Sequence, residues 1–106
     1  MAKILVIDDE AKMALLVSGA LEDAGHSVAV AHNGAAGLEI LTAGGIDMVV
    51  TDLKMDPPDG LAILRHVSEK LPEVGVILMT AFATAESAVS AMKAGAYDYL
   101  IKPFSL

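Results

Sequence analysis

Cysteine and tryptophan are absent from this chain of 106 residues, and two tyrosines and two phenylalanines are its only aromatic residues. Without cysteine the chain has no disulfide bonds, no thiol chemistry and no metal site built on thiolates. Because 55% of the residues are hydrophobic and so few are aromatic, the core must be aliphatic. The length predicts a single domain that spans residues 1–106.

Basic residues are also scarce: 7 lysines and arginines stand against 14 acidic residues, which gives a formal net charge of −7. A phosphate backbone would repel such a chain, so we expect no direct contact with nucleic acid. No apolar run approaches the length of a membrane-spanning helix, which is about 20 residues. Acidic residues also interrupt the N-terminal segment before it resembles a signal peptide. The sequence therefore predicts a soluble cytoplasmic protein that makes no membrane contact.

Apolar segments with the length of strands alternate with segments that have helical spacing. The predicted strands cover residues 3–7, 27–31, 46–51, 74–80 and 97–101. The apolar positions with helical spacing in the first predicted helix are Met13, Leu15, Leu16, Ala20, Leu21 and Ala24. Asp59 has a side chain suited to capping the third predicted helix. Five alternations of this kind predict an α/β domain in which a parallel sheet lies between helical layers.

Polar side chains follow four of the five predicted strands. Asp8 and Asp9 come after the first strand, Asp52 ends the third, Thr80 ends the fourth and Lys102 follows the fifth. In an open parallel sheet the ligand crevice lies beyond the carboxyl ends of the strands, so these residues meet at one edge. Any one of them alone would be an ordinary cap or loop residue, but all of them at the same edge predict a functional site.

The residue types at this edge indicate phosphate chemistry. Three carboxylates held close together need a cation, unless some of them take up protons. A small set of oxygen ligands suits Mg²⁺, which keeps several waters and binds phosphate oxygens. With the metal present, an aspartate can act as a nucleophile towards phosphorus, because the metal offsets the repulsion between carboxylate and phosphoryl group. Lys102 would add a second positive charge, and Thr80 a hydroxyl, for the phosphoryl oxygens.

Several segments resemble the receiver domain of bacterial two-component response regulators. They are IDDE at 7–10, VVTDLKM at 49–55 followed by DG, ILMTA at 77–81, and FATAESAVSAMKAGAYDYLIKPF at 82–104. The last segment is most similar to receivers of NtrC-like enhancer-binding transcription activators. The resemblance covers essentially the whole chain and implies a flavodoxin-like (CheY-like) three-layer fold, with a five-stranded parallel sheet in the order 2-1-3-4-5 and five helices. Because the chain stops at Ser105 and Leu106, where the family begins its fifth helix, most of that helix is expected to be absent.

The resemblance also implies a role for each acidic residue at the edge. Asp52 is similar to the phosphoacceptor of the family. Asp9 resembles the acid that binds Mg²⁺ directly, and Asp8 resembles the neighbour that acts through a metal-bound water. The backbone carbonyl of Lys54 matches the third protein ligand, so the implied metal ligands are Asp8, Asp9, Asp52 and Lys54.

Three further residues receive roles from the same resemblance. Thr80 matches the hydroxyl residue of the family, and Lys102 matches the lysine that binds the phosphoryl group. Tyr99 matches the aromatic residue that switches position on activation. The peptide bond between Lys102 and Pro103 is the one that is usually cis in the family.

The partners implied by the resemblance are those of a signalling switch. A sensor histidine kinase would donate the phosphoryl group from a phosphohistidine, and ATPase and DNA-binding effector domains would follow in the parent protein. A homodimer is expected on activation, with transcription activation as the output. Such a domain modifies itself rather than turning over a substrate, so we do not expect an enzyme.

One loop departs from the pattern of the family. NtrC-like receivers usually have M-P-G-x-D-G after the acceptor strand, whereas this chain has Met55-Asp56-Pro57-Pro58-Asp59-Gly60. Proline fixes φ near about −65° and removes an N–H group, so Pro57 cannot adopt a glycine conformation with positive φ. The loop is therefore expected to follow a different local path.

Two other classes of function share parts of the pattern. A Mg²⁺-dependent phosphatase with an aspartate nucleophile commonly has a second Asp two residues later, and Lys54 holds that position here. A flavin-binding electron carrier of similar topology needs N–H and hydroxyl groups in its first loop, where Asp8, Asp9 and Glu10 would repel the phosphate. A turnover assay on phosphoesters tests the first alternative, and the colour of the purified protein tests the second.

Overall fold

The computed structural model describes residues 2–81 and 85–101. Over these residues the predicted alternation is confirmed, because five strands alternate with four helices. The strands are β1 (Lys3–Ile7), β2 (Ser27–Ala31), β3 (Met48–Asp52), β4 (Gly75–Thr80) and β5 (Asp98–Ile101). The helices are α1 (Ala11–Asp23), α2 (Gly34–Ala43), α3 (Gly60–Lys70) and α4 (Ala85–Lys93).

All neighbouring strands in the sheet are parallel, and their order is β2-β1-β3-β4-β5. This is the order that the resemblance implied, so the flavodoxin-like expectation is confirmed. Two points of register position the functional residues: Ile7 pairs with Thr51, and Asp52 pairs with Met79. The carboxyl ends of β1, β3 and β4 therefore lie side by side at one edge.

Helices cover both faces of the sheet. Successive residues of a strand point to opposite faces, so a buried strand contributes side chains to the core on both sides. On one face, Ile4 and Val6 of β1 belong to a buried cluster with Val17 of α1. A larger cluster on the other face joins the strands to α2, α3 and α4. Its buried members are all aliphatic, as the composition predicted: Leu5, Ile7, Ala31, Leu41, Ile46, Val49, Leu53, Ile63, Leu64, Val67, Val76, Leu78, Ala91 and Ala96.

Three strands begin later than the sequence predicted. β3 begins at Met48 rather than at residue 46, β4 at Gly75 rather than at 74, and β5 at Asp98 rather than at 97. β3 also extends one residue further and includes Asp52. Ile46 is buried in the core although it precedes β3. An apolar residue beside a strand therefore shares the burial of the strand without sharing its hydrogen bonding.

The buried face of α1 differs from the apolar face that the spacing suggested. Ala14, Val17 and Ser18 are buried, whereas Leu15 and Leu16 are 74% and 60% exposed. Positions 14, 17 and 18 have the spacing of a single helical face. Helical spacing alone fits two neighbouring faces of the helix, so it does not show that Leu15 and Leu16 lie on the exposed one.

The expected start of a fifth helix, at Ser105 and Leu106, lies outside the described residues. That expectation, and the single domain over residues 1–106, stay predictions. Among residues 2–81 and 85–101, no helix has the length and apolar character needed to cross a membrane.

Candidate functional site

Asp8 is built into the end of the β1–β2 ladder. Its backbone N–H donates to the carbonyl of Ala31 at 3.1 Å, and its carboxylate accepts from the N–H of Glu10 at 2.9 Å. Asp8 is 0% exposed, whereas Asp9, one residue further, is exposed. The first strand therefore places one acid inside the edge and the next acid on its outer side.

Asp52 is the last residue of β3 and is 9% exposed. Because Ile7 pairs with Thr51, the residues that follow them, Asp8 and Asp52, lie next to each other on adjacent strands. Carboxylate oxygens of Asp8, Asp9 and Asp52 all lie within 4.8 Å of one another. The structure thus brings together the three acids that the sequence predicted to meet.

These three carboxylates have the separation and the charge to hold a hard cation. Two of the three are buried, and like charges at this separation in a region of low solvent access repel each other strongly. The donors are all carboxylate oxygens, which suit Mg²⁺ rather than a metal that prefers sulfur or imidazole. The donor set therefore fits the metal that the sequence predicted.

Thr80 ends β4 and is 1% exposed. It lies one residue beyond Met79, the partner of Asp52 in the ladder. Tyr99 pairs with Leu78, and Leu78 and Thr80 point to the same face because they are two residues apart in a strand. Thr80 and the half-buried Tyr99 therefore share the face of the sheet that carries the larger core cluster.

The described part of the chain does not test the predicted roles of Lys102, Pro103 and Lys54. Lys102 and Pro103 lie outside the described residues, so the phosphate-binding and cis-peptide assignments stay predictions. Lys54 is described, and its side chain is exposed; the assignment of its carbonyl as a metal ligand stays a prediction.

Backbone hydrogen bonds hold the two ends of the loop after Asp52, residues 53–59, in place. The N–H of Leu53 donates to the carbonyl of Met79 at 2.7 Å, and the carbonyl of Leu53 accepts from the N–H of Gly60 at 3.0 Å. The carboxylate of Asp59 accepts from the N–H of Ala62 at 2.9 Å, which confirms the predicted helix cap. The peptide bond between Pro57 and Pro58 is cis.

Gly60 is a positional requirement that the sequence analysis did not single out. A Cβ atom there would overlap the carbonyl oxygen of Asp52 and lie 2.8 Å from the Cα of Leu53. The backbone of α3 therefore begins in direct contact with the end of β3. The Asp-Gly pair at residues 59 and 60 was the available signal, since a cap followed by the smallest residue permits such an approach.

Residues 4–106 match the family model of the response regulator receiver domain. The chain belongs to this family. The receiver is 39% identical over 100 residues to the transcriptional regulatory protein ZraR of Escherichia coli K12, and 38% identical over 103 residues to the DNA-binding transcriptional regulator NtrC of the same strain. These alignments cover 94% and 97% of the receiver but 23% and 22% of the two relatives. The chain thus spans less than a quarter of the curated relatives it matches, and its resemblance to NtrC-like activators is confirmed.

A solved structure of a relative supports the same assignment. The response regulator TrrA from Thermotoga maritima, crystallised in complex with Mg²⁺-BeF, matches the receiver with a TM-score of 0.88 and 31% identity. The match covers 99% of the receiver and 90% of TrrA. As a receiver domain related to NtrC-like activators, the chain is a phosphate-accepting switch domain that serves an output.

Proposed function

We propose that this receiver accepts one phosphoryl group on Asp52, with Mg²⁺ held by the acidic cluster. The observation that carries the proposal is the convergence of Asp8, Asp9 and Asp52, whose carboxylate oxygens lie within 4.8 Å of one another at the carboxyl edge of the sheet. Such a cluster of like charges is costly for folding, and a bound cation would offset that cost.

The three acids differ in what they offer to the metal. The exposed Asp9 is accessible to an incoming ion and serves as the direct ligand, together with Asp52 and the backbone carbonyl of Lys54. The buried Asp8 acts through a metal-bound water, and its hydrogen bond from Glu10 holds its carboxylate in place. When bound, Mg²⁺ supplies positive charge that offsets the repulsion between the Asp52 carboxylate and a phosphoryl group. The Mg²⁺-BeF complex of the related TrrA supports this choice of metal.

The chemical step is a transfer between a nitrogen and an oxygen. A carboxylate oxygen of Asp52 forms a bond to phosphorus while the bond between phosphorus and the donor histidine nitrogen breaks, and the histidine then regains a proton. Lys102 contributes a positive charge to the phosphoryl oxygens, and the Thr80 hydroxyl donates a hydrogen bond to one of them. We propose a sensor histidine kinase as the physiological donor of this phosphoryl group.

The proposed switch consists of Thr80 and Tyr99, which move together. When Thr80 moves towards the phosphoryl oxygen, it vacates space beside β4, and Tyr99 on the same face turns inward to fill that space. The changed face then controls an attached output. In the parent protein the output is transcription activation through C-terminal ATPase and DNA-binding domains, with a homodimer formed on activation in the cytoplasm.

The two alternative functions lack a specific observation in their favour. Lys54, at the position of the second acid of an aspartate-nucleophile phosphatase, carries an exposed basic side chain. Asp8, in the loop where a flavin phosphate would sit, is an acid that is 0% exposed. The domain is therefore proposed as a phosphoacceptor rather than as an enzyme for turnover.

Intact mass spectrometry after incubation with acetyl phosphate tests the proposal. We expect the wild-type chain to gain one phosphoryl group in the presence of Mg²⁺ and none after chelation of the metal. Wild-type protein that takes up no phosphoryl group, or that takes it up equally well in chelator, would contradict the proposal.

A further inference from the structure

Gly34, the first residue of α2, lies in direct contact with the loop that follows the acceptor strand. Gly34 is buried, and a Cβ atom at this position would overlap the carbonyl oxygen of Pro58. It would also lie 2.8 Å from the Cγ and 2.9 Å from the carbonyl carbon of the same proline. Gly34 does not have a positive φ, so the requirement for glycine here is one of space rather than of backbone conformation.

The segment that leads into Gly34 is also joined to the acidic end of β1. The carbonyl of Ala31 accepts the N–H of Asp8 at 3.1 Å. Two residues later, the side chain of Asn33 caps α2 by accepting the N–H of Ala36 at 2.8 Å. Residues 31–34 therefore touch both halves of the site, because Asp8 lies at one end of this short segment and the acceptor loop at the other.

The acceptor loop is anchored by hydrogen bonds near its two ends, and Pro58 is where α2 meets it. Leu53 bonds to Met79 and to Gly60, and Asp59 caps α3. Lys54 lies inside this loop, one residue beyond Leu53. A displacement of Pro58 would change the path of the loop that contains Lys54.

We propose that Gly34 is a positioning residue for phosphoryl transfer. By admitting Pro58 against the start of α2, it fixes the position of the acceptor loop relative to Asp8 and Asp9. Gly34 thereby sets the affinity for Mg²⁺ and the rate of phosphoryl uptake by Asp52. This inference rests on the proposed function, because it acts through the Lys54 carbonyl as a metal ligand.

The test measures Mg²⁺ affinity by calorimetry and phosphoryl uptake from acetyl phosphate by intact mass, on the wild type and on Gly34→Ala. We expect Gly34→Ala to lower the affinity and the uptake rate by about tenfold, because displacements of the order of 1 Å in a reacting site cost up to about a hundredfold. Gly19→Ala in α1 is the matched control, since a Cβ atom there meets nothing within 4 Å. It is expected to keep both values at the wild-type level.

A second control separates positioning from general stability. Val67→Ala removes buried core volume in α3, where Val67 is 1% exposed, and is expected to lower the melting temperature while the Mg²⁺ affinity is kept. If Val67→Ala loses Mg²⁺ affinity as strongly as Gly34→Ala does, the loss reports stability and the inference is overturned. It is also overturned if a folded Gly34→Ala binds Mg²⁺ and takes up phosphate as the wild type does.

Pro58→Gly keeps the inference testable if Gly34→Ala does not fold. This variant removes the ring from the contact and frees the loop, so it is expected to weaken Mg²⁺ binding and slow uptake severalfold. Adding Gly34→Ala to Pro58→Gly is expected to lower the Mg²⁺ affinity and the uptake rate less than Gly34→Ala does in the wild type, because the effects of substitutions at residues in contact are not additive. Independent effects in the double variant, or a Pro58→Gly variant with unchanged affinity and rate, contradict the inference. A wild type that takes up no phosphoryl group instead refutes the proposed function.

Discussion

The two edges of the sheet use the same residue types in opposite ways. At the carboxyl edge, Asp8 and Asp52 are 0% and 9% exposed and lie with Asp9 in one cluster of like charges. At the amino edge, Asp47 is exposed, and its carboxylate accepts the backbone N–H of Lys3 at 2.8 Å. One edge concentrates negative charge that is largely buried, whereas the other pairs an exposed carboxylate with a backbone N–H group.

Other polar groups at the amino edge follow the second pattern. The Nζ of Lys3 donates to the hydroxyl of Ser27 at 3.4 Å, and the Nδ1 of His26 accepts the N–H of Ala2 at 3.1 Å. These contacts join the starts of neighbouring strands and need no added ion. The comparison teaches that an aspartate at a strand end indicates chemistry only when burial and like-charged neighbours make it costly to the fold.

The largest expected effect is on phosphoryl uptake, which should depend on an aspartate at the carboxyl edge and not on one at the amino edge. Asp52→Asn is expected to abolish uptake from acetyl phosphate, because an amide oxygen is a much weaker nucleophile than a carboxylate. Asp47→Asn, the matched change at the amino edge, is expected to take up one phosphoryl group as the wild type does. Intact mass measures both, and labelling of Asp52→Asn at the wild-type level would show that the acceptor is assigned wrongly.

The next effect concerns the metal. Asp8→Asn is expected to lower Mg²⁺ affinity about 10- to 100-fold, as does the loss of other groups that support metal ligands. Asp9→Asn is expected to lower the affinity further, because Asp9 is the proposed direct ligand. In metal-free buffer both variants are expected to unfold at the same or a higher temperature, since removing one like charge relieves repulsion.

Asp8→Ala separates the charge of Asp8 from its role as a hydrogen-bond acceptor. Alanine removes the charge and also the acceptor for the Glu10 N–H, so its free energy of unfolding in metal-free buffer is expected to fall about 1 kcal/mol below that of Asp8→Asn. Denaturant melts of the two variants measure the difference. Strong destabilisation by Asp8→Asn or Asp9→Asn would mean that these acids stabilise the fold, against the contrast between the edges.

A smaller effect is expected on the lifetime of the phosphoryl group. The positions two residues after Asp52 and Thr80 hold Lys54 and Phe82, and Phe82 lies outside the described residues. The resemblance to the family implies that these two positions flank the path of the hydrolytic water. A long and a bulky side chain there are expected to slow hydrolysis, so Phe82→Glu is expected to accelerate loss severalfold. Lys3→Ala at the amino edge is the control, and identical decay in wild type and Phe82→Glu would remove the argument.

The smallest effect belongs to the amino edge itself. Asp47→Ala removes the acceptor for the Lys3 N–H and is expected to lower the free energy of unfolding by about 1 kcal/mol or less, because that N–H is exposed and can bond to water. Phosphoryl uptake is expected to stay unchanged. A large loss of uptake in this variant would mean that the two edges are coupled.

Much of the fold and of the acidic site follows from patterns that are local in sequence. The buried run from Ile4 to Ile7 and the acid after it define a strand and its carboxyl end, and the parallel sheet then brings Asp8, Asp52 and Thr80 to one edge. Local patterns do not define which of two neighbouring faces a helix buries, so they do not separate the exposed Leu15 and Leu16 from the buried Val17.

The sequence also could not predict contacts between positions that are far apart in the chain. Gly34 and Pro58 meet only because α2 starts beside the loop that follows β3, and no periodicity links two positions so far apart. The expectation that the Asp56-Pro57-Pro58 loop follows its own local path stays a prediction. A glycine at the start of a helix has many ordinary explanations, and the close neighbour that makes it necessary is visible only in the fold.

The pair of tyrosines gives the molecule an optical probe of its own. The chain has no tryptophan, so its near-ultraviolet fluorescence comes mainly from Tyr97 and Tyr99. Tyr97 is 67% exposed just before β5, whereas Tyr99 is half-buried against the core on the face it shares with Thr80. A Tyr97→Phe chain would therefore emit from the proposed switch residue, and rearrangement of Tyr99 could be followed in real time without an attached dye.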